Sequence, residues 1–200
     1  MNRQQYEEQQ KRRCKDEWFK EHLARSIKMR ETVGPVTGVE MIDWRNPQSS
    51  NYWMRYILSG RFLIVIGDAG DAVFEWGENI TLDFLNGCDL HYFAEKCRAS
   101  EQGSRFTYWN TNVLHDTGDS LLVEWGYSEE VREAFIEAAD NMQRDEFMLW
   151  LWHDAPKELR QDSDQCSALM DCGDTLHPRL IGMWVGLKMA HEQLQGASGG

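Results

Sequence analysis

Two hundred residues, 42% of them hydrophobic and including nine tryptophans and eight phenylalanines, suffice to bury one domain's core. No run of eighteen apolar residues occurs, so no membrane span is expected, and the N-terminus MNRQQYEEQQKRRCKDEW is too polar for a secretory signal. A net charge of −12 argues against direct nucleic-acid binding, which needs several Lys or Arg contacts to phosphate, and favours a basic protein surface as partner.

The charge is unevenly spread. Residues 1 to 32 hold nine Lys and Arg against six Asp and Glu, and the remainder holds 12 against 27. From Phe62 to Glu95 there is no base but seven acids: Asp68, Asp71, Glu75, Glu78, Asp83, Asp89 and Glu95. Phe106 to Val131 repeats this with Asp116, Asp119, Glu124, Glu129 and Glu130. Solubility alone accounts for a part of such acidity. The functional reading is an anionic face that attracts a basic protein.

In chain order, residues 3 to 31 are rich in Gln, Glu, Lys and Arg and read as a long helix. Trp18, Leu23 and Ile27 stand near helical spacing. VGPVTG at 33 to 38 marks a boundary. VTGVEMIDW is a first strand, Tyr52–Leu58 and Arg61–Ile66 are two strands turned by Ser59-Gly60, and AVFEW at 72 to 76 is a third short run. Between them, GDAGD at 67 to 71 has no nearby base and precedes a strand, which excludes a phosphate loop. It is a turn, an interaction loop or a divalent-metal loop, and Asp and Gly are what a turn requires.

After Gly77 the period changes. Thr81 caps LDFLNG, and Asp89 caps a helix carrying Leu90, Phe93, Ala94 and Cys97. RASEQGSRFTYWNTN reads as loop and SLLVEWGY at 120 to 127 as a strand. Ser128 starts a helix with Val131, Phe135, Ile136, Ala139 and Met142 on one face. DEFMLWLWHDAPKEL is an apolar helix ended by Pro156, and a buried helix runs from Pro178 to about Gln195. The expected organisation is an N-terminal helix at 1–32, one α+β domain at 33–195 and a disordered tail at 196–200. The domain would be an antiparallel sheet of three to five strands packed by helices.

Five cysteines, odd in number and scattered, are expected to be free thiols in a reducing cytoplasm. Cys166, Cys172 and His177, with His153 as a fourth member, lack the short C-x2–4-C knuckle of structural zinc. Cys88, His91 and Cys97 invite a ligand reading that core packing explains as well. A thiol nucleophile would need His115 or His177 beside a cysteine. No motif with a mechanical basis for catalysis occurs. Trp150 and Trp152, in LWLW, are core or a partner-binding patch.

Gly67, Asp68, Asp71, Ala72, Val73, Phe74 and Trp76, followed by Tyr92, Phe93, Lys96, Cys97, Ala99 and Ser100, spell GDxGDAVFxW…YFxxKCxAS. On these positions the chain resembles a family of bacteriophage- and prophage-encoded proteins over residues 30 to 105. The resemblance implies an accessory protein acting in the cytoplasm of an infected bacterium and assigns no catalytic residue or cofactor. It implies inhibition of a host protein complex, with an antiviral defence effector of the CRISPR type as the leading target; the acidic stretches at 67–95 and 116–130 add nucleic-acid mimicry as the means. The expected sites are the acids Asp68, Asp71, Glu75, Glu78, Asp83, Asp89, Glu95, Asp116, Asp119, Glu129 and Glu130, with Trp150 and Trp152. The competing readings are a metal- or thiol-dependent enzyme acting on a nucleotide or peptide, and a self-associating assembly factor such as a homodimer.

Overall fold

The computed structural model describes residues 1–29, 38–101 and 106–198; the predicted boundary at 33–38 lies outside them except for Gly38. The chain divides into two compact units, Met1–Glu8 with Thr107–Leu176, and Gln9–Phe106 with His177–Gly200. The architecture is α+β, with more strands than the sequence suggested.

The segment 3–31, predicted as one helix, is not one. Helix α1 spans Arg3–Arg13, a π-helical turn follows at Cys14–Trp18, and the chain then extends as β1, Leu23–Met29. Long polar side chains sustain α1. Beyond it the aromatics are drawn inward, and Phe19 is 1% exposed against His22 and Trp44. β1 pairs residue for residue with β2, Val39–Arg45, so Leu23 and Ile27 are strand neighbours of Arg45 and Met41 rather than a helical stripe.

Strands β3 (Met54–Ser59), β4 (Phe62–Gly67), β5 (Ala72–Glu75) and β6 (Cys97–Ser100) complete a six-stranded antiparallel meander in chain order. The two-residue loop Gly60-Arg61 joins β3 to β4, with Gly60 at φ 58° as a tight hairpin requires. Trp44, Met54, Tyr56, Leu58, Leu63, Val65 and Phe74 point to one face and are buried.

Helices α2, Leu82–Gly87, and α3, Leu90–Glu95, start at the predicted caps: Thr81 accepts from Phe84 N at 3.1 Å and Asp89 from Tyr92 N at 2.8 Å. Cys97 is not on that helix; it opens β6, where pairing with Phe74 outweighs the helical spacing. The buried C-terminal helix, the last element in the chain, occupies Pro178–Ser198. Its Gly186 lets the sheet approach, since a Cβ there would stand 2.5 Å from Tyr56 Oη. Tyr56 Oη donates to Met183 O at 2.9 Å.

The other unit is mainly helical: α4 (Thr111–Glu124), α5 (Glu129–Asn141), α6 (Arg144–His153), α7 (Lys157–Arg160) and α8 (Ser163–Cys172), with the short pair β7 (Thr107–Trp109) and β8 (Asp174–Leu176). The predicted strand at 120–127 is instead the last turn of α4, through Glu124, and the turn that follows it. Asn110 caps that helix by accepting from Val113 N at 3.2 Å, and Leu114, Gly118 and Leu122 recur every fourth residue on its buried side. Phe135, Phe147, Leu151, Leu159 and Leu169 fill this unit's core. The C-terminal helix Pro178–Ser198 is α9.

Candidate interaction surface

The Gly67–Asp71 segment is a turn whose carboxylates are in use. Asp68 accepts from Trp53 N at 3.2 Å and Asp71 from Gly67 N at 3.3 Å. Gly67, at φ 145°, lies so close to Trp53 O that a Cβ would stand 2.2 Å from it. Most of the remaining acids in this unit also have local partners. Glu75 is bracketed by Arg61 at 2.7 Å and Arg98 at 3.2 Å. Asp83 meets His191 at 2.6 Å and Gln195 at 3.0 Å, and Asp89 caps α3. Glu78 and Glu95 are exposed.

The helical unit differs. It holds 18 Asp and Glu against 5 Lys and Arg, a balance of −13, whereas the sheet unit holds 15 against 16, a balance of +1. Three of the five bases are committed to internal pairs. Arg132 grips Asp119 through two hydrogen bonds of 2.8 and 3.0 Å, Arg144 grips Asp174 at 3.1 and 3.2 Å, and Arg3 meets Glu7 at 3.4 Å. The first pair holds the Asp119 carboxyl below its ordinary pKa, chiefly through the Arg132 hydrogen bonds. Asp116 meets the N-terminal ammonium and His115.

Acids in the first turns of α5 (Glu129, Glu130), α6 (Asp145, Glu146) and α8 (Asp164) have a helical reason to be there, since they face the positive end of the macrodipole. Glu124, Asp140 and Asp171 do not. Each lies at the C-terminal end of its helix, where the last turn holds no base and the dipole disfavours negative charge, although Arg144 of α6 is within electrostatic reach of Asp171. Along α5 the exposed Glu130, Glu133, Glu137 and Asp140 follow 3-4-3 spacing, a ridge opposite the buried Val131, Phe135, Ala138 and Ala139. Of the predicted acids, the structure brings Asp116, Asp119, Glu129 and Glu130 into this unit and leaves Asp68 through Glu95 in the neutral one. Glu133, Glu137 and Asp140 were missed, although their spacing on an expected helix signals the ridge.

The aromatic pair separates. Trp150 is half-buried on Phe147, 5.6 Å between rings, whereas Trp152 is 43% exposed. Its exposed companion three residues back is Leu149, at 60%. These two form an outward apolar ridge on a helix that buries Phe147 and Leu151 on its other side.

The thiols are packed rather than poised. Cys14 is pushed up to about 12 and Cys172 to about 11 by burial, and burial also raises Cys88, Cys97 and Cys166. A thiolate nucleophile needs the opposite shift. Cys166 Sγ donates to Leu159 O and Cys172 Sγ to Ala168 O, both at 3.1 Å, while His177 Nδ1 accepts from Arg179 N at 3.2 Å. His91 and His153 are exposed. Among the described residues, no three His, Cys, Asp or Glu side chains converge as a metal site, and no helix is long and apolar enough to cross a membrane.

No protein-family model, curated protein or solved structure matches the chain.

Proposed function

We propose that this protein works by binding rather than by catalysis, and that its helical unit engages a basic surface on a host protein. The observation that carries this reading is the gathering of the whole net negative charge in that unit, beside the exposed Leu149 and Trp152. Carboxylates in excess over available bases speed encounter with a basic partner, and exposed leucine and tryptophan supply the desolvated contact that holds it. Acids at helix C-termini work against the helix macrodipole, so local stability does not explain them. The resemblance to phage-encoded proteins supports a narrower version, in which the partner is a bacterial antiviral complex and the carboxylates occupy a surface that otherwise holds nucleic-acid phosphates.

The test is capture from a host lysate on the immobilised full-length protein, with the retained protein identified by mass spectrometry. The expected partner is a basic protein released as NaCl rises from about 50 mM to about 0.5 M, because screening shortens the reach of exposed charge. Neutralising the α5 ridge, Glu130→Gln with Glu133→Gln, Glu137→Gln and Asp140→Asn, weakens its binding about tenfold or more. Retention unaffected by both salt and this variant would overturn the charge-based reading.

A further inference from the structure

The outward face of the six-stranded sheet carries an apolar row that runs across every strand. Ile27, Met41, Ile57, Ile64, Val73 and Ala99 are successive partners in the ladder, each directly opposite the next. All six are solvent-accessible: Ile27 and Ala99 are exposed and the other four half-buried, on the face opposite the buried Trp44, Tyr56 and Val65. The helix that packs on this sheet, α9 (Pro178–Ser198), lies on that buried face, where its Gly186 adjoins Tyr56, Met54 and Trp44. An antiparallel sheet that turns one face to water normally alternates apolar with polar residues. Here both faces are apolar along one line.

We propose that this face binds the same face of a second copy of the chain. Charge selects that occupant. A balance of −13 makes the helical unit repel its own kind, whereas the sheet unit, at +1, does not. The charges flanking the apolar row are also self-complementary. On one side of the row, Arg45 and Arg55 project from β2 and β3, whereas the β4–β5 turn at the same end of the sheet carries Asp68 and Asp71. Asp43 stays paired with Arg55 at 2.6 Å. A two-fold axis lying in the face, along the strands and between β3 and β4, exchanges β2 with β5 and β3 with β4. It sets Ile57 against the other copy's Ile64, Met41 against its Val73, and the Asp43–Arg55 pair together with Arg45 over its aspartate turn, where the two arginines outnumber Asp43. Such a contact is isologous and closes at two copies. A recess of about 600 Å³ lined by Arg45, Arg55, Ser49, Ser50 and Trp53, with Asp43 held by Arg55 in its wall, lies where that turn would arrive.

The size is adequate. Six strands about 4.8 Å apart, four to seven residues long at about 3.3 Å each, project roughly 500 Å². Side-chain relief raises the accessible area towards the ~800 Å² per partner of a standard interface.

Sedimentation velocity of the full-length protein between about 1 and 100 µM tests this, a range in which an interface of this size is populated. The expected result is a concentration-dependent species of twice the 23.4 kDa chain mass. Ile57→Lys and Ile64→Lys, outward positions whose change leaves the circular dichroism spectrum intact, each weaken dimerisation about a hundredfold or more by placing a charge in the apolar row. The arrangement has a second test that leaves that row untouched. Arg45→Glu and Asp71→Arg each weaken the dimer alone and restore it together. A monomer at the highest concentration, or a dimer indifferent to both lysine substitutions, would overturn the proposal. Because the face belongs to the sheet unit, failure here leaves the reading of the helical unit standing.

Discussion

Asp119 and Arg132 show how a single pair removes two residues from the functional account. The sequence offers Asp119 as one of many acids, but the fork of Arg132 takes up both its oxygens. Because the folded state holds the Asp119 carboxyl below its ordinary value near 3.8, the pair's contribution is complete at neutral pH and is lost as pH falls through the depressed folded value. Asp119→Asn should therefore lower stability at pH 7 and flatten the decline of stability below about pH 4, which urea unfolding across pH would register. The same scale explains the Gly67–Asp71 turn. Its glycines and aspartates were legible as turn chemistry, but only the strand register shows that Asp68 reaches the backbone of Trp53.

Among the elements, those with strong local signals were legible: the capped α2, α3 and α5, the β3–β4 hairpin and the buried α9. Three were misread: the segment 98–112, expected as loop, holds most of β6, all of β7 and the start of α4, and the other two share one reason. At Leu23–Met29 and at 120–127 the local pattern suits either period, and a partner distant in sequence decides. For β1 the partner is β2. For α4 it is α5, whose Phe135 ring lies against Gly118 so closely that a Cβ would stand 2.2 Å from it. Gly118→Ala therefore sets a helix-propensity gain of about 1 kcal/mol against overpacking of about 1–3 kcal/mol in a core with no slack. Chemical denaturation should show a net loss of up to about 2 kcal/mol. A gain in stability would mean that Phe135 moves freely, contrary to its complete burial.

At the scale of the molecule, the acid-rich stretches of the sequence divide differently once folded. Glu75 is neutralised by Arg61 and Arg98, while the helical unit keeps an excess that its five bases cannot match. Self-repulsion of this kind destabilises a compact state and is relieved by salt. Raising NaCl from about 20 mM to about 0.3 M should thus raise the thermal midpoint followed by helical circular dichroism at 222 nm. Neutralising the α5 ridge should reduce that salt dependence; an unchanged midpoint in the parent protein would mean that the carboxylates stand too far apart to repel.

The amount of charge, the hairpin at Gly60, the helix caps and the apolar C-terminal helix could be read from the chain's residues in order, because each depends on residues a few positions apart. Which acids keep their charge, where the N-terminal helix stops, and the alignment of six apolar side chains from six strands on one face emerge only in the folded chain. Those outcomes rest on pairings between residues tens of positions apart, which no local pattern encodes.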